Sequence, residues 1–294
     1  MTLHLGADVG GTNARVALVE SSGRLVHAVK AALPDRSVEA VVATVKSLVT
    51  QVQMQEHGPT SPALGVGLAA MLRGPLVVNA PNLGWRDVDF GTALSHAVGR
   101  PVRLVNDLSA AAWGERLAGA ARGLDDTFTV FVGTGVGSAI ISQGHLLHGA
   151  TGVAAEFGHT KVVAEGGRPC GCGEHGCLEA YIGGARLTQW MREAGLDGTP
   201  DDLERAAAKG DAAARGLYDT ASGYLALAIA NQVTMLNPAM VVLGGGVLMR
   251  TPGIVQRIRE VIARRSGAAS REGLRVELAA LGDDSGIVGA ALLG

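Results

Sequence analysis

A chain of 294 residues is long enough for two lobes with separate cores, and 47% of it is apolar, which argues against disorder. A net charge of −2 and an aromatic share of 3% leave no basis for electrostatic binding to DNA or anionic membrane, or for a platform that stacks single-stranded nucleic acid. No apolar run is long enough to span a bilayer, and the N-terminus lacks a basic segment leading into an apolar one, so no membrane association is expected and the expected compartment is the reducing cytoplasm.

The first apolar run, residues 3–8, meets a glycine pair and resumes over 13–20. It reads as a β-hairpin with the tip Asp8-Val-Gly10-Gly11-Thr12-Asn-Ala-Arg15. Glycine lets backbone N–H groups approach a phosphate, Thr12 adds a hydroxyl donor, and Asp8 would face the metal that accompanies a nucleotide. An ordinary hairpin turn is the plainer alternative. Val38, Val41, Val42, Val45, Leu48, Val49 and Val52 have helical spacing and predict a helix over 37–57, ended by Gly58-Pro59. Strands are expected at 63–69 and 74–79. The loop 79–85 offers Asn79, Asn82 and Trp85; an amide donates and accepts as a sugar hydroxyl does, although turn chemistry explains the asparagines equally well.

A helix at 92–98 and a strand at 101–105 lead into Asn106-Asp107 and an alanine-rich helix at 108–117. Asp107 thus falls at the carboxyl end of a strand, where ligands bind in open α/β sheets. It is read as a helix N-cap, a base for a substrate hydroxyl, or both. A second hairpin, 127–132 and 138–142, has the tip Gly133-Thr134-Gly135-Val-Gly137. Two such tips with an aspartate between them in sequence suggest two similar lobes facing one ligand. Helices follow at 201–209 and at 212–230, the latter continuing to about 236. A buried strand at 239–243 ends in Gly244-Gly245-Gly246, bare backbone against which a base or ribose can lie. The helix at 250–265 presents its arginines as a solvated face, 274–278 alternates as a strand, and 283–294 is a capped apolar helix.

All three cysteines fall in Cys170-Gly-Cys172-Gly-Glu-His-Gly-Cys177, with His159 eleven residues upstream of the first. Three thiolates and one imidazole complete a tetrahedral zinc shell with no position left for a catalytic water, so the metal would be structural. His175 is a rival fourth ligand to His159. Buried free thiols, or one disulfide and a thiol, are the alternatives; the odd count and the glycine-rich loop disfavour both. Glu156 and Glu179 flank the ligand set.

Asp8-x-Gly-Gly-Thr-x-x-Arg15, Asn106-Asp107, Gly133-Thr-Gly-x-Gly137, Glu156-x-Gly-His159, Cys170-x-Cys-Gly-x-x-Gly-Cys177-x-Glu179 and the Gly244-Gly245-Gly246 turn, taken in order, resemble the ROK family (repressor, open reading frame, kinase) of sugar kinases. Its bacterial glucokinases are the most similar branch. The resemblance implies an α/β, two-lobed, actin-like or hexokinase-type (ribonuclease H-like) fold with a zinc-binding loop. The implied lobes are a small one over 1–107, rejoined by the helix 283–294, and a large one over 108–282 with the zinc knuckle at 156–179. By the same resemblance Asp107 is the general base, and Asn82, Asn106, Glu156, His159 and Glu179 contact the sugar. Asp8, Gly10, Gly11, Thr12, Arg15, Gly133, Thr134, Gly135 and Gly245 hold the nucleotide, and His159, Cys170, Cys172 and Cys177 hold zinc. Implied are ATP, Mg2+ and structural Zn2+, a hexose substrate, no nucleic acid and a homodimer. The expected reaction is 6-phosphorylation of glucose. N-acetylglucosamine, N-acetylmannosamine, mannose and fructose are alternative substrates, and a non-catalytic sugar-sensing regulator is an alternative function. One departure stands in Gly65-Val-Gly-Leu68-Ala-Ala-Met-Leu-Arg-Gly74, which lacks the Pro-Gly pair that members usually carry there.

Overall fold

The computed structural model describes residues 2–55 and 59–294, which form two compact α/β units. The first comprises residues 1–123, 146–154 and 280–294; the second comprises 124–145 and 155–279. Strands β1 (Leu3–Val9), β2 (Asn13–Glu20) and β3 (Leu25–Ala32) are a meander, followed by helix α1 (Val38–Gln55) and strand β4 (Thr60–Leu68). The expected end of α1 at residue 57 lies outside the described residues. A small antiparallel sheet, β5 (Met71–Arg73), β6 (Leu76–Ala80) and β7 (Trp85–Val88), leads to α2 (Phe90–Val98), β8 (Val102–Asn106) and α3 (Asp107–Ala118). The large sheet has the order β3-β2-β1-β4-β8, antiparallel in the meander and parallel across β1, β4 and β8. Val41, Val45, Leu48 and Val52 of α1, and Phe90 and Leu94 of α2, pack on Leu5, Val16, Leu64 and Val66. Each such apolar side chain contributes roughly 1.5–3 kcal/mol when fully buried.

The second unit repeats the plan. β9 (Thr127–Val132), β10 (Val136–Ser142) and β11 (His145–Leu146) precede the cysteine loop. Helices α4 (Glu179–Ile182), α5 (Gly184–Glu193), α6 (Pro200–Ala208) and α7 (Ala212–Leu236) follow. Then come β12 (Met240–Gly244), α8 (Pro252–Arg265) and β13 (Arg275–Leu278), after which the chain returns to the first unit with α9 (Ser285–Leu293). The sheet order β11-β10-β9-β12-β13 is that of the first unit, with β9 and β10 antiparallel and β12 parallel to both β9 and β13. Phe128, Val130 and Val132 meet Leu225, Ile229 and Val233 of α7 and Ile258 and Ile262 of α8. Among the described residues no helix is long and apolar enough to cross a membrane.

Helix α9 belongs to the first unit and packs on β1, β4 and α3. A Cβ added at Gly289 would fall 1.7 Å from the Ala110 carbonyl oxygen, and one at Gly114 would fall 2.4 Å from that of Ser285, so only glycine allows the α3 and α9 backbones to meet. This contact keeps α3 in the first unit, whose first segment therefore runs to Gly123 and does not stop at residue 107. In the last turn of α3, Glu115 is fully buried; its carboxylate accepts the N–H groups of Ala120, Ala280 and Leu281 at 2.8–3.0 Å.

Several elements differ from the sequence reading, among them β3, β5, β7, β11 and α2. β3 is an additional edge strand. β7 begins at Trp85 and turns what reads as loop into sheet. α2 starts at Phe90, two residues early, because the Asp89 carboxylate accepts the Thr92 N–H at 3.2 Å.

Candidate functional site

In the first unit, parallel pairing aligns Val9 with Leu68 and Leu68 with Asn106. The Gly10–Thr12 tip, the Ala69-Ala70 turn and Asn106-Asp107 therefore lie side by side at the carboxyl edge of one sheet, where ligands of open α/β sheets bind. Gly10 N–H closes the tip on the Asn13 carbonyl at 2.9 Å. Asp8 faces Arg15 across the hairpin ladder. Burial pushes the Asp8 carboxyl above its ordinary range, with Arg15 and Lys30 pulling it partly back. Arg15 is held from its other side by Asp284, 2.6 Å away. The turn at Asn82 lies against the tip, its carbonyl oxygen 2.9 Å from the place of a Gly11 Cβ.

One expected ligand group has a structural duty instead. The Trp85 indole is buried and donates to the Arg36 carbonyl at 2.7 Å, while Arg36 Nε donates to the Gly11 carbonyl at 3.0 Å. The backbone of Asn79 pairs with Arg86 and Met71 inside the small sheet. The cap of α3 is Asn106 and not Asp107. Asn106 Oδ1 accepts from Leu108 N and Ser109 N at 3.0 and 3.2 Å, and Nδ2 donates to the Ala70 carbonyl at 3.3 Å. The second amide N–H of Asn106 has no partner among the described residues. Asp107 stands at the first helical position, its Oδ1 accepting the Leu108 N–H at 3.0 Å. Where the Pro-Gly pair is missing, the chain passes through Ala69-Ala70 directly into β5, tied down by Asn106.

The second unit sets its glycine turns out in the same way. Gly244 pairs with Phe131, so the Gly133–Gly135 tip and the Gly245 turn adjoin at the carboxyl edge. Gly245 has φ +86°, and a Cβ there would come within 2.5 Å of the Val132 carbonyl oxygen. The first N–H groups of α5, from Gly184 and Ala185, hold the carbonyls of Gly133 and Thr134 at 2.8 and 3.0 Å. Beside them opens a cavity of about 680 Å³ lined by Gly133, Thr134, Thr188, Arg192, Gly246 and Arg250, among others. Arg250 is thus not part of a solvated helix face: α8 begins only at Pro252. Sequence reading did not single out Thr188 and Arg192, whose i, i+4 spacing on α5 is the signal that puts both on one face.

In the cysteine loop one ligand atom each from His159, Cys170, Cys172 and Cys177 lies within 4.8 Å of all the others. Cys172 and Cys177 sulfurs are 3.7 Å apart, and Cys170 Sγ is 3.7 Å from His159 Nδ1. Tetrahedral zinc, with bonds of about 2.3 Å to sulfur and about 2.0 Å to nitrogen, sets such edges at roughly 3.8 and 3.5 Å. A disulfide would need about 2 Å. His175, exposed and paired through its backbone with Pro169, is outside the cluster. Burial pushes the Cys170 thiol up to about 12, so a thiolate there calls for a cation. Lys161 Nζ donates to Cys177 Sγ at 3.0 Å and would neutralise the single net negative charge of three thiolates around a dication. The donor set and its edges fit zinc.

His159 turns Nδ1 to the cysteines and Nε2 to Glu156, 3.8 Å from its Oε2. Glu179, two residues past Cys177, starts α4 and accepts the Val136 N–H on Oε2 at 2.9 Å, which joins the cysteine loop to the second glycine tip.

The model of the ROK family matches residues 4–294. A glucokinase of Halalkalibacterium halodurans is 31% identical over 310 aligned positions, covering 99% of this chain and 94% of that protein. The crystal structure of the ROK hexokinase from Thermus thermophilus superposes with a TM-score of 0.86 at 31% identity, covering 99% of this chain and 97% of that one. A ROK family glucokinase from Streptomyces griseus, in complex with glucose and AMPPNP, gives 0.79 at 32% identity, with 99% of each chain covered. These matches agree with the expected α/β class and its paired, like-ordered sheets.

Proposed function

The chain belongs to the ROK family, and on that premise we propose that it is an ATP-dependent hexose kinase whose substrate is glucose and whose product is glucose 6-phosphate. The observation that carries this reading is Asp107, presented at the carboxyl edge of β8 by a helix that its neighbour Asn106 caps.

In this mechanism Asp107 accepts the proton of the sugar 6-hydroxyl as its oxygen bonds to the γ-phosphorus and the bond to the β-phosphate oxygen breaks, releasing ADP. Phosphoryl transfer asks the protein mainly for positioning and charge stabilisation. Asn82, Asn106, Glu156, His159 and Glu179 orient the sugar hydroxyls. Gly10, Gly11, Thr12, Gly133, Thr134 and Gly135 offer phosphate donors, Arg15 adds positive charge, and the Gly245 turn takes the adenosine. Asp8 is the carboxylate for the Mg2+ that enters with ATP, and a divalent ion beside it would offset the burial that raises its pKa. His159, Cys170, Cys172 and Cys177 would hold Zn2+, which when bound would supply folding energy to a loop poor in apolar residues and fix His159 for the sugar.

A coupled assay of ATP consumption over glucose, mannose, fructose, N-acetylglucosamine and N-acetylmannosamine tests the reading. Glucose should give the highest kcat/KM. Preference for another of these sugars would retain the kinase and replace its substrate, and a zinc-replete sample that consumes no ATP with any of them would overturn it.

A further inference from the structure

The cavity beside the second glycine tip has a one-sided chemistry. Its bare-backbone wall is Gly133, Gly246 and the start of α5, the place the kinase reading gives to the nucleoside. Its charged side chains are two guanidiniums, Arg192 from the last turn of α5 and Arg250 from the turn before α8. A Cβ built on Gly246 would lie 3.3 Å from Arg250 Nη1, so that guanidinium lies across the glycine backbone where a flat base would rest. Arg250 has one charged partner among the described residues, Asp201, 3.7 Å from its Nε and beyond hydrogen-bond distance. It can swing on to an incoming base at little cost. Among the described residues that line the cavity there is no Asp, Glu, Asn or Gln. The remaining side-chain polar groups are the hydroxyls of Thr134, Thr188 and Thr199.

Guanidinium groups donate and never accept. Adenine presents an exocyclic amine, a donor, beside N7, whereas guanine and hypoxanthine present O6 and N7, two acceptors that match the arginine fork. A pocket that means to select adenine places a dedicated acceptor for the amine; here the side-chain acceptors among the lining residues are threonine hydroxyls, which donate as readily, and beside them stand two forked donors. Resting on the kinase reading above, we infer that Arg192 and Arg250 read the nucleobase through its acceptors, so that the enzyme takes phosphoryl donors carrying guanine or hypoxanthine about as well as those carrying adenine.

The test is kcat/KM for ATP, GTP and ITP at saturating hexose, for the wild type and for Arg250→Met and Arg192→Met, which keep the side-chain stem. The expected result is GTP and ITP within ~10-fold of ATP in the wild type, as a site without a dedicated amine acceptor predicts. In the methionine variants the GTP:ATP and ITP:ATP ratios should fall ~10-fold while the hexose KM stays put. An ATP preference of more than about 100-fold, or ratios that do not respond to either substitution, overturns the inference and leaves the kinase reading intact. Equilibrium binding of AMPPNP and GMPPNP reads the same preference without turnover. If no donor phosphorylates any hexose, the kinase reading fails, and the relative affinity of the two analogues still decides the base preference; failure to bind either one overturns this inference as well.

Discussion

The carboxylate of Glu179 is hydrogen-bonded to the backbone N–H of Val136 at 2.9 Å. A residue that the cysteine loop delivers is therefore fastened to the glycine tip proposed to grip phosphate, and a shift of either moves the other. Gly135 leaves room for this bond, because a Cβ there would come 2.4 Å from Glu179 Oε2.

Gly135→Ala should displace that flexible carboxylate at little cost in stability while lowering kcat/KM for the hexose by ~10-fold or more, about 1.4 kcal/mol in transition-state terms. Gly245→Ala makes the contrast. It combines a left-handed φ with a clash against Val132 backbone, so it should cost roughly 1–3 kcal/mol of stability. Thermal melts beside steady-state kinetics separate the two.

Asp107→Asn should lower kcat by roughly 10²- to 10⁴-fold, the usual worth of a positioned base, with hexose binding retained and the melting temperature little changed. The cap is Asn106, so Asn106→Ala should be the destabilising member of the pair, by about 1 kcal/mol. Near-normal turnover in Asp107→Asn would remove Asp107 from the role.

Asp8 carries a pH signature. Its folded pKa is raised above its unfolded value by burial, so the ionised form is penalised in the fold. The penalty is absent below the unfolded value, near 3.8, and grows as pH rises through the folded one. Asp8→Asn should therefore melt higher than the wild type at neutral pH, with the gap closing as the pH is lowered toward that value. Magnesium with AMPPNP should stabilise the wild type more than the variant. A variant that melts lower at neutral pH would refute the assignment of strain to Asp8.

Zinc content should be one ion per chain by elemental analysis and should be lost progressively on acidification, as protons compete for the thiolates. Cys177→Ser, at a fully buried ligand, should abolish it, and His175→Ala should leave it unchanged. Because Glu179 couples the loop to Val136, chelation should raise KM for ATP as well as for the hexose.

Much of this was legible in the chain wherever chemistry is local. Gly10-Gly11-Thr12, Gly133-Thr134-Gly135 and the cysteine cluster announce themselves within a dozen residues each, and the apolar spacing of α1 and α7 follows from their buried faces. The strand β3 was not legible, since its residues are mostly half-buried at a sheet edge and lack an alternating pattern. Nor was the choice between Asn106 and Asp107 as cap, because both residue types cap equally well and only the backbone decides. Arg192 and Arg250 are 58 positions apart in sequence, and no local pattern says that they share a cavity wall. Glu115 reads as one more charge on an alanine-rich helix, yet it is fully buried and satisfied by N–H groups on both sides of the second unit's span of sequence.

The seating of α9 has a consequence for biosynthesis. The sheet that opens with residues 3–9 is closed on one face by residues 285–293, whose glycine-mediated contact with α3 tolerates no substitute. At about 5–20 residues per second on the ribosome, the nascent sheet waits on the order of tens of seconds for its last helix. During that interval Ala17, Val19 and Val105 lack the part of their cover that Ile287, Val288, Ala290 and Ala291 provide, and the nascent first unit exposes apolar surface until residue 293 is made.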